Sequence, residues 1–529
     1  MNDAIFSDGM SDDHPRMRGF NYECFPRKPE AHDCRLAAAK GGNMARSSKT
    51  TAKKKKLPEA LIFVVSIVLV LAIVFGSIAI YRAHWRNATV VTVGEHEVST
   101  VEFNYFLNNV VSDLVNSYGS YLSIIGLDPS VRLTEQNVPN TDKNAEPQTW
   151  AAYLADSAKT MAVNYYTVCD EAAKNGYELT QEQLDTIESQ ISTISTYAKL
   201  YSVSADTYIE NMFGKGCDVD SYRDFLKLSY TYSDYISSLE YTDQEIADRY
   251  AKDPAEFDYV AYQLYTSAAS SFAGKNDDGT TAEITDENRA SAKAAAEEMM
   301  EKFEGENVVD YTEQSKSSIT STVCEEAAEW LFSDSVKADD LKMFESGDNY
   351  YVVKFVSRTD NDYKTVDYLQ IYIKNDSTDD SSDSSSTDET KQTSAEKVAA
   401  LKEALEKDST EENFKKLVST YSDSSTSAYT QATHKSIANQ EVYEWLFNGN
   451  PSEGDYKVFE TSAGTYAVLF QGYDKTCKDI LVSNMLTNEW FEALTKDVAY
   501  DYNAGNAMHS HLDYALNSVY NLNRNSSIS

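Results

Sequence analysis

Glu329-Trp330-Leu331-Phe332 returns 115 residues later as Glu444-Trp445-Leu446-Phe447. Sliding the chain along itself by that distance, without a gap, continues the match. Asp340 falls on Asp455, Lys342 on Lys457, and Phe344-Glu345 on Phe459-Glu460. Tyr351 falls on Tyr466, Val353 on Val468 and Phe355 on Phe470. A repeated unit of roughly 100 residues is the size of a domain, not of a solenoid turn. Each copy reads as a short helix carrying Trp-Leu-Phe, a polar loop and two strands. Alternation with period two marks the strands, as in Tyr466, Val468 and Phe470. The C-terminal half is expected to hold two copies of one small α+β domain.

The whole chain has 529 residues, enough for about three domains. Charged residues make up 25% and hydrophobic ones 42%, a globular balance. The net charge of -37 argues against a nucleic-acid partner, because a phosphate backbone needs Lys and Arg to neutralise it. Residues 1–56 hold 12 Lys and Arg against 7 Asp and Glu, so the acidic excess lies entirely beyond them. The 37 tyrosines suit adaptable contact surfaces, since each ring is amphipathic and has few torsions.

Residues 60–81 form a 22-residue apolar run without a charge, long enough to cross a bilayer as a helix. Lys53 to Lys56 precede it, which predicts a cytoplasmic N-terminus and an uncleaved signal-anchor in a plasma membrane. Cleavage is the alternative. The bulk of the chain, from about His84, is then expected outside the cytoplasm. Residues 1–59 form the basic N-terminal segment. Within it, residues 1–43 show no periodic apolar pattern, and Met44-Ala45-Arg46 reads as a possible start of translation.

Val90 to Val98 reads as strand–turn–strand, and Ser99-Thr100-Val101-Glu102 as a capping box. Phe103, Phe106, Val110, Val111 and Leu114 mark the buried stripe of the helix that follows. Helical patterns resume at about 150–174, 180–202 and 218–240, with a short helix capped by Thr242. Residues 88–255 are thus a mostly helical lobe. The two repeats are placed at 256–360 and 363–474, with first strands at 257–265 and 366–373. Each carries a polar insert after its first strand, at about 267–288 and 374–393. Both inserts read as solvated loops; their Asp spacing does not follow an EF-hand pattern. Residues 475–529 hold a helix at about 478–500 and a weakly structured tail.

This order resembles the SurA/PrsA family of extracytoplasmic foldases. Val91-Thr-Val-Gly-Glu-His-Glu-Val98 with Glu102-Phe103 is similar to the opening of their N-terminal chaperone domain. Lys174-Asn-Gly-Tyr-Glu-Leu-Thr180 and Thr242-Asp-Gln-Glu-Ile246 with Tyr250 are similar to later parts of it. The repeats resemble parvulin-type peptidyl-prolyl isomerase domains. Phe414 to Ser422 is similar to a parvulin helix, and Val458-Phe459-Glu460-Thr461 with the Tyr466 strand to its closing strands. The resemblance covers about residues 88–500. It implies an α+β multidomain chain with one N-terminal transmembrane helix, a helical chaperone lobe, two tandem parvulin-like domains and a C-terminal helix. It also implies histidines facing each other across a proline pocket. Those positions fall on about Gln370 and Ala467 in the second copy, and on about Ala261 and Val352 in the first. The only histidine in either repeat, His434, matches neither position and reads as a surface residue.

Proline isomerisation needs no nucleophile, metal or cofactor, and none is expected. The barrier of roughly 20 kcal/mol is amide resonance, which an apolar pocket with placed donors can lower. Trp330, Tyr351, Trp445 and Tyr466 are the candidate substrate contacts, although both tryptophans read equally as core. His509 and His511 are closely spaced but lie in the tail. Cys169, Cys217, Cys324 and Cys477 are read as buried small apolar residues or free thiols, with Cys169–Cys217 the first disulfide to test. No cysteine closely follows the apolar run, unlike the lipoproteins of the PrsA type. The expected function is a membrane-anchored chaperone for unfolded or partly folded secreted polypeptides. An active prolyl isomerase is the alternative, and a structural cell-surface protein is a further one.

Overall fold

A computed structural model of the chain describes residues 86–139, 146–376 and 392–508. They fall into two compact units, divided at Leu239/Glu240 and again at Asn488/Glu489.

The first unit opens with β1 (Thr89–Val93) and β2 (His96–Ser99), joined by the turn at Gly94. The Ser99 side chain accepts from the Glu102 amide, and the Glu102 carboxylate accepts from the Ser99 amide at 2.7 Å. This capping box starts α1 (Thr100–Tyr118). Then come α2 (Trp150–Lys174), α3 (Gln181–Leu200), α4 (Ala205–Phe213) and α5 (Val219–Ser237). Phe103, Phe106, Leu107 and Val111 of α1 are fully buried. They share a core with the small residues Ala151, Ala155, Ala158 and Ala162 of α2, and with Phe225 and Leu228 of α5. Burying each large apolar side chain contributes about 1.5–3 kcal/mol.

The chain re-enters this unit after residue 488. Trp490, Phe491 and Leu494 pack on Val168, Ala172 and Tyr235. A strand at Tyr500–Tyr502 then pairs antiparallel with β1, Val91 opposite Tyr502. The Lys159 ammonium lies 5.2 Å and 5.4 Å from the Tyr500 and Tyr502 ring centres. Residues past the C-terminal helix, expected to be weakly structured, therefore add an edge strand to the sheet at Tyr500–Tyr502 and end in a short helix at Ala504–Ala507.

The second unit begins with α6 (Asp243–Lys252), capped by Thr242 and Glu245 as expected. Repeat 1 is β3 (Tyr259–Ala268), α7 (Asp286–Glu301), β4 (Val308–Gln314), α8 (Lys316–Thr322), α9 (Glu325–Leu331), β5 (Leu341–Ser346) and β6 (Asn349–Thr359). Repeat 2 is β7 (Lys364–Lys374), α10 (Ser394–Lys407), α11 (Glu411–Tyr421), β8 (Ala428–Ala432), α12 (Gln440–Tyr443), β9 (Tyr456–Glu460) and β10 (Gly464–Thr476). Each copy forms a four-stranded antiparallel sheet, ordered β4-β3-β6-β5 and β8-β7-β10-β9. The edge strands β4 and β8 were not legible as strands, because a bulge breaks their alternation. After β10 comes α13 (Cys477–Thr495), whose Leu481, Val482 and Met485 pack near Ile246 and Phe257.

The expected fold class needs correction. The chain is mixed α/β and multidomain, but among the described residues no helix is long and apolar enough to cross a membrane. The 25-residue α2 is long enough, yet it carries Asp156, Lys159, Asp170, Glu171 and Lys174. The apolar run 60–81, residues 1–59, His84, most of the second insert, His509 and His511 lie outside the described residues.

Candidate functional site

Alternation gives each repeat sheet two faces. In repeat 2, Leu369, Ile371 and Ile373 of β7 meet Leu401, Leu405, Phe414 and Leu417 of the helices. The opposite face carries Tyr368, Val468 and Phe470, and the turn containing Trp445 and Leu446 covers it. Repeat 1 is arranged alike, with Tyr262, Leu264, Val353 and Phe355 under Trp330 and Leu331.

These second faces carry matched aromatic sets. Tyr262 stacks on Tyr311 with centroids 4.9 Å apart and planes 8° apart; Tyr368 stacks on Tyr429 at 4.6 Å and 6°. Trp330 tilts against Phe344 at 5.6 Å, and Trp445 against Phe459 at 5.9 Å. Lys342 and Lys457 each hold an ammonium 4.9 Å from the centre of the phenylalanine ring. One backbone device sits beside each tyrosine stack. Val260 faces Gln314 but Tyr262 faces Tyr311, which leaves one extra residue in β4. Val366 faces Ala432 but Tyr368 faces Tyr429, which leaves one extra residue in β8. Glu313 and Gln431 occupy these bulges, both at φ 52, a left-handed conformation uncommon for such residues.

The four candidate contacts divide by repeat. Trp330 and Tyr351 lie half-buried beside the repeat 1 core, and Trp445 and Tyr466 beside the repeat 2 core. The expected facing pairs do not form a pocket. Gln370 lies opposite Val468 and Ala467 opposite Ile371, so Gln370 and Ala467 project from opposite faces of the sheet. Ala467 is buried under the helices, while Gln370 donates to the Tyr429 hydroxyl at 3.4 Å. In repeat 1, Val352 belongs to the core under α7, and alternation along β3 puts Ala261 on that same covered face. Burial raises the Tyr429 and Tyr466 hydroxyls above the ordinary tyrosine range.

His434 corrects another expectation. It is not a surface histidine; its side chain is 20% exposed and its Nδ1 lies 2.7 Å from Glu313 Oε1 in the other repeat. Its ring stacks on Tyr363 at 3.5 Å and 6°, with Phe447 edge-on at 4.4 Å. The Tyr363 hydroxyl accepts from the His434 amide at 3.3 Å, and burial pushes that hydroxyl strongly upward. A pairing across 121 positions leaves no mark in local sequence.

A cavity of about 650 Å³ is lined by Pro254, Asp258, Phe355 and Arg358, among others. Arg358 donates to Asp258 and to the Phe332 carbonyl, both at 2.6 Å, and the Tyr250 hydroxyl donates to Asp258 at 2.6 Å. These contacts satisfy both charges, so the pair is structural. Cys169 and Cys217 are not bridged. Each is buried and directed at a different carbonyl, Leu228 at 3.6 Å and Val101 at 3.7 Å. Burial pushes the Cys217 thiol up to about 12.

No family model matches the chain, and no curated protein matches it. Among solved structures it is similar to the foldase protein PrsA from Streptococcus pneumoniae, at 13% identity and a TM-score of 0.15, over 42% of this chain and 78% of that one. It is also similar to a structure described with two structurally related SurA-like chaperones of Campylobacter jejuni, at 10% identity and a TM-score of 0.14, over 51% of this chain and 82% of that one. Superposition this slight says nothing about substrate or chemistry.

Proposed function

We propose that the chain is an extracytoplasmic chaperone that binds unfolded polypeptides through its helical unit, with the two repeats as binding or spacing modules. The observation that carries this reading is the apolar surface left open on that unit. Tyr197, Leu200 and Tyr201 at the end of α3 are 50%, 74% and 69% exposed. Tyr121 and Ile124, past the end of α1, are 66% and 75% exposed. Single exposed apolar side chains are ordinary, but such groups on neighbouring turns give an unfolded chain apolar footholds. Placement outside the cytoplasm belongs to the same proposal and rests on Lys53 to Lys56 ahead of an apolar run.

Proline isomerisation is the competing reading. Against it, the two family positions of repeat 2 point to opposite sides of the sheet, and the face beside Gln370 is filled by stacked tyrosines. The test pairs two assays on the full chain. Suppression of aggregation of a proline-free client is expected, and it should weaken several-fold in a Leu200→Ser, Tyr201→Ser variant. Exchange NMR on a short X-Pro peptide is expected to show no acceleration. Rapid isomerisation without aggregation suppression would replace this reading with the enzyme.

A further inference from the structure

Both described histidines are built alike. His96 lies 2.7 Å from Asp170 and stacks on Tyr166 at 4.8 Å. His434 lies 2.7 Å from Glu313 and stacks on Tyr363. The His96 pair lies within the first unit. The His434 pair joins the two repeats, and its carboxylate is delivered by the left-handed residue of the β4 bulge. Such a conformation costs on the order of 1 kcal/mol for a residue with a Cβ, so it persists where its surroundings hold it. In repeat 2 the matching bulge residue, Gln431, reaches inside its own repeat, donating to Asp474 at 2.9 Å. The same backbone device therefore serves a local contact in one copy and a contact between copies in the other.

We propose that Glu313 and His434 form a pH-dependent latch between the repeats, closed when the imidazole is protonated and the carboxylate is not. A hydrogen bond between two ionised partners is roughly twice as strong as one between neutral groups. The flat face of Tyr363 against the ring adds a cation–π attraction that exists only for the imidazolium. Histidine is the side chain whose charge ordinarily changes between about pH 5 and 8, so the latch is read by comparing the two ends of that range. Above it the neutral ring can still donate one ordinary hydrogen bond, so the latch loosens without opening completely.

Other ionisable groups face the ring from the elements packed around it. From the segment joining the repeats comes Tyr363, whose hydroxyl burial holds protonated. From α12 comes Tyr443, 5.3 Å away, whose hydroxyl burial also raises, with Glu444 next to it in the chain. At the start of α13 lies Cys477, buried and raised. On the histidine's own turn, Lys435 sits 3.9 Å from the Tyr259 ring centre of repeat 1, a second link between the repeats, and burial lowers its ammonium from the ordinary lysine range.

Hydrogen–deuterium exchange of the full chain tests this, read in segments 308–316 and 432–447 and corrected for the intrinsic pH dependence of exchange. Protection in both segments should be about tenfold greater at roughly pH 5.5 than at roughly pH 8. Glu313→Gln and His434→Gln should each abolish most of that difference and leave β10 protected. The proposal is overturned if wild-type protection does not change with pH, or if Glu313→Gln keeps the full difference. Should His434→Gln unfold repeat 2, Glu313→Gln decides alone, because it leaves the ring stack in place.

Discussion

In repeat 2 the sheet lies under two helices that bury Leu401, Leu405, Phe414 and Leu417, whereas repeat 1 has one helix there and buries Ala292 and Ala296. Met299, Met300 and Phe303 help only from the margin. On the other face the copies agree in detail. The Asp340 carboxylate accepts from the Lys337 amide and Asp455 from the Ser452 amide, both at 2.8 Å. The carbonyls of Asp340 and Asp455 accept from Phe355 and Phe470, both at 2.9 Å. Residues 339 and 454 have positive φ in both turns, one an aspartate and one a glycine. The contrast teaches where such a fold tolerates change. A helix cover must supply apolar volume, which many side chains can do. A stacked ring pair with a bulge and a carboxylate-closed turn must keep its geometry.

The largest expected effect tests whether that asymmetry is energetic. Phe414→Ala removes a fully buried ring and should cost repeat 2 about 3–5 kcal/mol. Phe303→Ala removes a half-buried ring from repeat 1 and should cost no more than about half of that. Native-state hydrogen exchange in β7 and β3 reads the two losses separately. Equal losses would mean that the single helix of repeat 1 holds its sheet as firmly as the pair does.

A smaller effect sharpens the comparison at the bulges. Glycine accepts φ 52 without strain, which offsets its extra entropy in the unfolded chain. Gln431→Gly and Glu313→Gly should therefore each stay within about 1 kcal/mol of wild type near pH 8. They should differ in pH response. Near pH 5.5, Glu313→Gly should fall further behind wild type, while Gln431→Gly should hold its distance. Denaturant titrations at the two pH values check this, and matching responses would remove the distinction between a local bulge and a joining one.

How much of this was legible follows from what each feature requires of the chain. The 115-residue repeat exposed the Trp-Leu-Phe turn and the closing strands, because no insertion separates the equivalent residues there. Capping boxes at Ser99 and Thr242 were readable, since their partners lie three residues apart. The tyrosine stacks were not, although they are the most regular feature of the site. Tyr262 and Tyr368 are offset by 106 and Tyr311 and Tyr429 by 118, because α11 is inserted between them in repeat 2. An ungapped slide cannot find them. That Gln370 and Ala467 project from opposite faces was not legible for a related reason, since a strand alternates faces and a shift of one residue changes the side. His434 was misread because its carboxylate comes from the other repeat, and the strand Tyr500–Tyr502 because three residues carry no period.

The smallest expected effect concerns the feature that the copies share most closely. Lys342 and Lys457 lie at the same 4.9 Å from their phenylalanine rings, on edge strands open to water. Exposed cation–π contacts contribute about 0.5–1 kcal/mol, and removing the aliphatic stem uncovers some ring surface. Lys342→Ala and Lys457→Ala should each cost about 0.5 kcal/mol. Lys342 also lies 5.8 Å from the Trp330 ring, so its loss should be slightly the greater. Denaturation followed by tryptophan fluorescence measures both, since Trp330 and Trp445 sit beside the affected rings. Unequal costs, one near zero and the other above about 1.5 kcal/mol, would show that equal distances conceal different functions. They would also single out the repeat whose aromatic face depends on its lysine.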